Sequence, residues 1–366
     1  MSNPVDAQWF TSDMPGAPAL SGTVGTLIAV LDACLLNGFG SVTLTSLTVS
    51  GGVATAVKAG HGFLDYVVVL IEGSTPSELN GKKRIAWVDA NTFTFDATGI
   101  TDQTATGTIT AKVAPVGWDK PHSGTNKAGY ARTDLAANAM MLRVDDTPPQ
   151  YSTIIMYETM SDVDTGTGPA PTSGSYYFCK SNAANTTARQ WRLFADGRGL
   201  YLFCKNNGSG WYSALEFNDS ESYKNGDGFG TVLHAVESAT YQFQYYTLNS
   251  WGLISRSYSQ SGGPVSARCY THSRSSTLGS NFQSYPAPAD SGFHAWPMEI
   301  WEGSTLARGL LAGIWNPIHA SPSTGGPSDG LIVTDIPQLP GRRLMLQEIY
   351  NGGAAAAFDL TGPWRE

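Results

Sequence analysis

The chain has 366 residues, of which only 14% are charged, and 22 Lys and Arg against 30 Asp and Glu leave a formal net charge of −8 at pH 7. Binding to nucleic-acid phosphates requires clustered basic residues, so this acidic balance argues against a nucleic-acid partner. With 41% hydrophobic and 11% aromatic residues, the chain can bury sizeable cores and is not of the disordered class. Its length predicts two or three domains.

The first forty residues predict an arm followed by a helix. The arm, residues 1–20, contains three prolines together with Trp9 and Phe10, two rings that so short a segment cannot bury by itself. We therefore predict that Trp9 and Phe10 pack on a neighbouring surface, such as that of another subunit. Residues 21–36 carry apolar side chains at helical spacing, with Ser21 as a candidate N-cap, and the pattern stops at Asn37-Gly38.

From residue 41 to residue 118 the apolar period changes from helical to two, which predicts strands. Runs such as VTLTSLTVS, YVVVLIEG and NTFTFDA are separated by Gly, Asn and Asp turns. Five or six such strands within so short a segment predict a small β-barrel or compact sandwich. The basic triplet at residues 82–84 is interpreted as a solvated turn.

Residues 119–366 are predicted to form a larger antiparallel β-sandwich with a loop-rich C-terminal part. The segment up to about residue 150 is polar and turn-rich, and strand candidates then recur at regular spacing. The best hairpin candidate runs from Arg189 to Phe203, around the turn at residues 196–199. The predicted fold class is therefore mainly β, with divisions at 1–40, 41–118 and 119–366.

No sequence motif predicts a metal, a cofactor, a signal peptide or a membrane span. The segment MSNPVDAQWF lacks the basic and apolar regions of a secretory signal, and no apolar run is long enough to cross a bilayer. The six His are too far apart to form a local metal site, and His61 is interpreted as a turn residue. The four Cys lack C-x-x-C spacing and are expected to be buried thiols, although a disulfide between Cys179 and Cys204 is left open.

Acidic residues suggest two further kinds of site, a cation site and a pair of carboxylates for glycoside cleavage. The sequence pattern supports neither. Asp162 and Asp164 begin a segment that resembles a calcium loop, but the later positions lack the residues that an EF-hand requires. The segment is therefore a turn or a different kind of cation site. Glycoside cleavage needs two acids beside the bond. Nothing in the sequence selects a pair from the available carboxylates, which are Glu158, Asp162, Asp219, Glu221 and Asp227. We therefore predict no catalytic residue and no enzymatic activity.

Aromatic residues among polar neighbours give the best indication of a binding site. Amphipathic rings stack on sugars and anchor protein interfaces, so the candidate ligand-binding residues are Trp191, Tyr201, Trp211 and Tyr212. The alternative is that these rings fill the core of a sandwich.

Several segments resemble a family of virion structural proteins encoded among the tail and structural genes of tailed bacteriophages. The similar segments in the larger region include LRVDDTPP, YETMSDVDTGTGPAPT, RQWRLFADGRGLYLF, RGLLAGIWNPIHASP and FDLTGPW. The front of the chain, from PGAPALSGTVG to GHGF and NTFTF, looks like the N-terminal helix and small β-module of that family. One departure is Leu311-Ala312-Gly313, where the relatives tend to have L-P-G.

The resemblance implies membership of a virion and not a detailed role. We interpret the chain as a structural protein of the tail tip, baseplate or neck, assembled in the host cytoplasm. We expect its partners to be other virion proteins and further copies of itself in an oligomeric ring. The charge balance, the short apolar runs and the lack of motifs predict no nucleic acid, membrane or cofactor. The alternative is a receptor- or carbohydrate-binding module of the adsorption apparatus that contacts host surface glycan. A glycan depolymerase is a third hypothesis.

Overall fold

A computed structural model describes residues 5–206, 212–235, 252–269, 284–303, 305–320, 323, 325–350 and 354–365. With 47% of residues in strands and 5% in helices, and with antiparallel pairing throughout, it confirms the prediction of a mainly β protein. Within these residues, no helix has both the length and the apolar character needed to span a membrane.

The N-terminal arm is a strand of the chain's own large sheet. Strand β1 (Gln8–Thr11) pairs antiparallel with residues 192–195, and Trp9 and Phe10 are 5% and 0% exposed. The Phe10 ring lies 6.2 Å from that of Phe39. The expectation that these two rings pack on another subunit is therefore wrong for the folded chain, because backbone pairing to a distant strand places them in the chain's own core.

The predicted helix is present but shorter at its start. Helix α1 (Thr26–Asp32) continues into a π-helical turn, Ala33–Asn37, and ends before Gly38 as the sequence indicated. Ser21 does not cap it. Instead the Asp146 carboxylate accepts a hydrogen bond from the Leu27 backbone N–H at 2.8 Å. The cap is therefore supplied by a residue 119 positions away in the sequence.

The small β-module is a sheet that closes on itself. Its order is β2-β9-β5-β6-β7-β4-β3-β8. Strands β2 and β3 are consecutive in the chain, and because β2 pairs with β9 while β3 pairs with β4, the two sides of the sheet meet along residues 39–50. The closure leaves an apolar interior and removes free edges, as in a small barrel. The strands are β2 (Phe39–Thr43), β3 (Ser46–Ser50), β4 (Val53–Val57), β5 (Val68–Glu72), β6 (Gly81–Asp89), β7 (Thr92–Asp96), β8 (Gln103–Thr104) and β9 (Thr110–Val113), with a 3-10 turn at Ser77–Leu79.

The basic triplet lies in strand β6 and not in a solvated turn. Lys82 donates to the Val116 carbonyl, and Arg84 is 4% exposed. The Arg84 guanidinium donates to the carbonyls of Ala7 and Tyr66. The solvated-turn interpretation is therefore wrong, because strand pairing directs Arg84 to the joint between the arm and the module.

A second sheet has the order β10-β11-β12-β13-β16 and contacts the helix. Its first hairpin occupies a segment expected to be turns, because Ala128 and Tyr130 supply a buried face that sparse apolar residues did not reveal. The Tyr130 hydroxyl donates to Asp32 of α1 at 2.8 Å. The strands are β10 (Asp119–Gly124), β11 (Lys127–Ala131), β12 (Met141–Asp145), β13 (Tyr151–Tyr157), β14 (Thr159–Met160), β15 (Gly166–Thr167) and β16 (Tyr176–Cys179), of which β14 and β15 form a separate pair.

The third sheet runs from β1 through β17 to β24 and then to β27, β26 and β25. The long strand β19 also pairs with β24, so β19 to β24 form a closed ring of six strands. The strands are β17 (Trp191–Asp196), β18 (Gly199–Cys204), β19 (Ser213–Ser222), β20 (Thr231–His234), β21 (Gly252–Ile254), β22 (Val265–Cys269), β23 (Ala295–Glu302), β24 (Leu306–Pro317), β25 (Ile332–Val333), β26 (Leu344–Tyr350) and β27 (Ala354–Asp359).

The two ends of this sheet pack face to face, with an aromatic core between them. The predicted hairpin is confirmed as β17 and β18, and Phe194 of β17 stacks on Phe358 of β27 at 4.2 Å. Tyr201 of β18 lies 5.2 Å from the same ring. This layered arrangement brings side chains of β17 close to those of β26, which positions the site described next.

Candidate functional site

A small cleft opens where β1, β17 and β26 meet, and we call it the Trp191 cleft. Its volume is about 180 Å³. The pairing of Thr11 with Arg192 places the arm on one side, and Gln347 of β26 closes the other. The lining residues are Thr11, Asp13, Gln190, Trp191, Arg192, Tyr212, Asp329 and Gln347.

A hydrogen-bond network organises the polar wall of the Trp191 cleft. Arg192 donates through Nη1 to Asp329 at 3.0 Å and to Gln347 at 2.7 Å. The Tyr212 hydroxyl lies 3.4 Å from the other Asp329 oxygen. Burial and the nearby Asp329 carboxylate raise the Tyr212 pKa well above its ordinary value, so the phenol keeps its proton.

The cleft brings together two of the four predicted ligand-binding aromatics. Trp191 and Tyr212 line it, but they are 2% and 7% exposed, and the Trp191 indole donates to the Pro18 carbonyl. Tyr201 is fully buried and donates to the Ala312 carbonyl, so it belongs to the core. Trp211 lies outside the described residues. The structure thus favours the core interpretation for Tyr201 and leaves Trp191 and Tyr212 as lining residues of the cleft.

Most of the candidate carboxylates are held by arginines. Asp219 is completely buried between Arg132, at 2.6 Å, and Arg198, at 3.7 Å. The Glu158 carboxylate accepts hydrogen bonds from both Nε and Nη2 of Arg256. These charge-assisted hydrogen bonds occupy carboxylate oxygens that would otherwise be available to a substrate.

Glu221 and Asp227 line one wide polar cleft of about 760 Å³. Arg308, which is completely buried, binds both oxygens of Asp227. Burial opposes ionisation of Asp227, yet hydrogen bonds from Arg308, Ser222 and Gln260 hold its pKa below the ordinary value. Asp227 is therefore unsuited to be the protonated acid that glycoside cleavage requires.

The acidic turn at residues 162–164 has basic partners. The Asp164 carboxylate accepts hydrogen bonds from Lys127 at 2.8 Å and Arg143 at 2.6 Å, and Asp162 accepts the Asp164 amide. Two cations already neutralise Asp164, which disfavours a cation site there. Within the described ranges, no group of three or more His, Cys, Asp or Glu could hold a metal.

The thiols match the prediction of buried cysteines. Cys34, Cys179 and Cys204 are buried thiols, and the disulfide left open between the last two is not formed. Burial raises the pKa of Cys179 to about 12, which suppresses the reactive thiolate. The side chain of Cys269 lies outside the part of the chain described.

Sequence reasoning missed a pair of exposed apolar residues on the small module. Trp87 and Val88 are consecutive on β6, and each is 49% exposed. A β-bulge between Trp87 and Asp89 breaks the alternation of the strand, and Asp65 accepts the Trp87 amide at 3.0 Å, which braces it. The sequence signal was the unbroken IAWV run, which reads as an ordinary buried strand. We call these two residues the rim pair.

Comparison with known proteins adds no family to these observations, since neither a family model nor a curated protein matches the chain.

Proposed function

We propose that this chain is a structural component of a tailed bacteriophage particle, in the tail tip, baseplate or neck. It would act through contacts between copies in an oligomeric ring and with other virion proteins. The observation that carries the proposal is the display of large apolar side chains on braced strands. Such side chains are stabilised when another protein covers them. The resemblance of the segments quoted above supports the same role.

The rim pair is the surface that we assign to contact between copies. Its two residues are consecutive on β6, and the hydrogen bond from the Trp87 amide to Asp65 already fixes the backbone there, so the cost of ordering this strand on association is small. A second exposed ring, Trp296 of β23, is 55% exposed beside Pro297. The arm is not available for this purpose because its rings are already in the core.

The test replaces the rim pair with Ser at both Trp87 and Val88. We expect the sedimentation mass of the purified protein to fall to that of a single chain and the variant to be lost from particles of a phage that encodes it. The control is Ala86→Ser, an exposed position on the same strand that loses no large side chain. Normal mass and normal incorporation of the double variant would contradict the assignment.

A second candidate function is the binding of a neutral saccharide, and the Trp191 cleft favours it. The cleft combines two rings with amide, carboxylate and guanidinium groups, which together can satisfy hydroxyls that both donate and accept. Asp13, Arg192 and Asp329 give no excess of positive charge for an anionic sugar.

This function is tested by titrating neutral hexoses into the purified protein and following ligand signals by NMR. Tyr212→Ala should abolish binding, whereas Tyr223→Ala, at an exposed tyrosine outside the cleft, should not. Absence of binding by the unaltered protein at millimolar hexose would reject this function and leave the structural role untouched.

A further inference from the structure

Lys180 and Asp146 form an ion pair that is completely buried. Both side chains are 0% exposed, and the Lys180 Nζ donates directly to Asp146 Oδ1. Lys180 follows β16 and Asp146 follows β12, and β13 lies between these two strands in the sheet. An amine and a carboxyl group are thus held in contact where water is excluded.

Each polar atom of this ion pair, Lys180 Nζ and the two Asp146 oxygens, has one further hydrogen-bond partner. Lys180 Nζ donates to the Thr23 carbonyl at 2.8 Å. Asp146 Oδ2 accepts the Leu27 amide at 2.8 Å, and Oδ1 accepts the Ser152 hydroxyl at 2.6 Å. The two carboxylate oxygens are therefore distinguished, one by a fixed backbone N–H and the other by a hydroxyl that can exchange protons.

Burial favours the uncharged forms of both groups. Loss of solvation lowers the Lys180 pKa and raises that of Asp146, although each group partly offsets the other's shift. A buried ion pair is costly because desolvation can exceed the attraction between its charges. Neutral amine and neutral acid are also the forms in which an amine can attack a carboxyl carbon.

We propose that Lys180 and Asp146 join in an intramolecular isopeptide bond. The Lys180 Nζ attacks Cγ of Asp146, a new N–C bond forms, and the Cγ–Oδ1 bond breaks. Of the three protons of the original ammonium group, two leave with Oδ1 as one molecule of water and one stays on the amide nitrogen. The step is a condensation and requires no oxidant or other reactant.

The surrounding groups match the needs of this step. The Leu27 N–H stabilises the negative charge that develops on Oδ2, as a donor of an oxyanion hole does. The Ser152 hydroxyl contacts the leaving oxygen and relays a proton to it. In the product, the amide N–H still donates to Thr23 and Oδ2 still accepts from Leu27, while both buried charges are removed.

The bond would tie the end of β16 to the end of β12 across β13, and it would fix the start of α1 to both. Such a link closes a loop in the unfolded chain and lowers the conformational entropy of the unfolded state. It therefore stabilises the folded state, by the same reasoning as for a disulfide. This inference does not depend on the proposed role in a particle.

Digestion of the purified, denatured full chain with trypsin tests the proposal. No Lys or Arg lies between Arg143 and Lys180, and the next such residue is Arg189. With a free Lys180, trypsin yields peptides 144–180 and 181–189. With the bond formed, cleavage at Lys180 fails, and mass spectrometry finds one peptide, 144–189, lighter by one water than its linear formula.

The intact mass gives an independent measure, because the linked protein is lighter than its sequence by one water. Full sequence mass together with complete cleavage at Lys180, in protein that is folded before digestion, would overturn the proposal. Lys180→Arg keeps the positive charge and should restore the full mass. Ser152→Ala keeps both reacting groups and should leave a larger unlinked fraction after the same time; complete linkage in this variant would remove Ser152 from the mechanism.

Discussion

At the scale of single residues, Arg84 shows how a charged side chain can hold parts of the molecule together. Its guanidinium binds the Ala7 carbonyl of the arm at 2.6 Å and the Tyr66 carbonyl of the small module at 2.9 Å. Burial lowers its pKa to about 10, against the opposing effect of Asp359 and Asp6, and it stays charged at neutral pH. A run of basic letters cannot reveal this role, because the two carbonyls belong to residues distant in sequence.

Gly313 is a residue for which the structure makes a sharp prediction. It has a φ of +76°, and an added Cβ would lie 2.2 Å from the Trp364 ring. Gly313→Ala should therefore lower the free energy of unfolding by about 1–3 kcal/mol through left-handed strain and by about 1–3 kcal/mol more through overpacking. Urea denaturation of the two proteins measures the difference.

Gly341 provides the matched control for this substitution. Its φ is +81°, but nothing lies within 4 Å of an added Cβ. Gly341→Ala should therefore show the strain alone and remain the more stable variant. Equal losses at the two positions would mean that the contact with Trp364 does not restrict Gly313.

At the scale of elements, the ends of helix α1 illustrate what local patterns determine. Its C-terminal end follows from Asn37-Gly38, a stop signal in the sequence itself. Its start depends on Asp146, which no local rule can bring to Leu27. The buried face of Leu27, Val30 and Leu31 follows from helical spacing and is confirmed.

Strand β1 is the element for which the sequence prediction and the structure differ most, and substitution of Phe10 tests its role in the chain's own core. Phe10→Ala should lower the free energy of unfolding by about 3–5 kcal/mol, because it removes a fully buried ring. The loss should be the same at low and high protein concentration, since the contact lies within one chain. Chemical denaturation at two concentrations makes the measurement.

The control for Phe10 is the exposed Tyr223, whose change to Ala should alter stability by no more than about 0.5 kcal/mol. If Phe10→Ala instead left the unfolding curve unchanged and reduced the mass of an oligomer, the arm would act between copies as the sequence first suggested.

At the scale of the whole molecule, closure distinguishes the small module from the second sheet. In residues 39–113 the two sides of the sheet meet along the consecutive strands β2 and β3, whereas the second sheet is open and its Tyr130 hydroxyl donates to Asp32 of α1. In the described part of the chain, no strand pairing joins the module to the other sheets. A closed sheet of more than three strands with an apolar interior meets the conditions for independent stability.

We therefore predict that a fragment of residues 39–118 folds alone and that a fragment of residues 119–190 does not. Circular dichroism with thermal melting should show a β spectrum and a cooperative transition for the first fragment only. If the fragment of residues 39–118 showed no cooperative transition, the contacts with the arm, including the one from Arg84 to Ala7, would be required for the module to fold.

The sequence by itself determined the mainly β class, the position of the helix, the alternation of strands in residues 41–118 and the hairpin of β17 and β18. These features depend on neighbours within a few positions, where period and turn residues act directly. Tertiary structure alone decided the burial of Trp9, Phe10 and Arg84, the exposure of the rim pair and the contact between Lys180 and Asp146. Each of these depends on which distant strands meet, and pairing between strands is chosen by the whole core and not by any one segment.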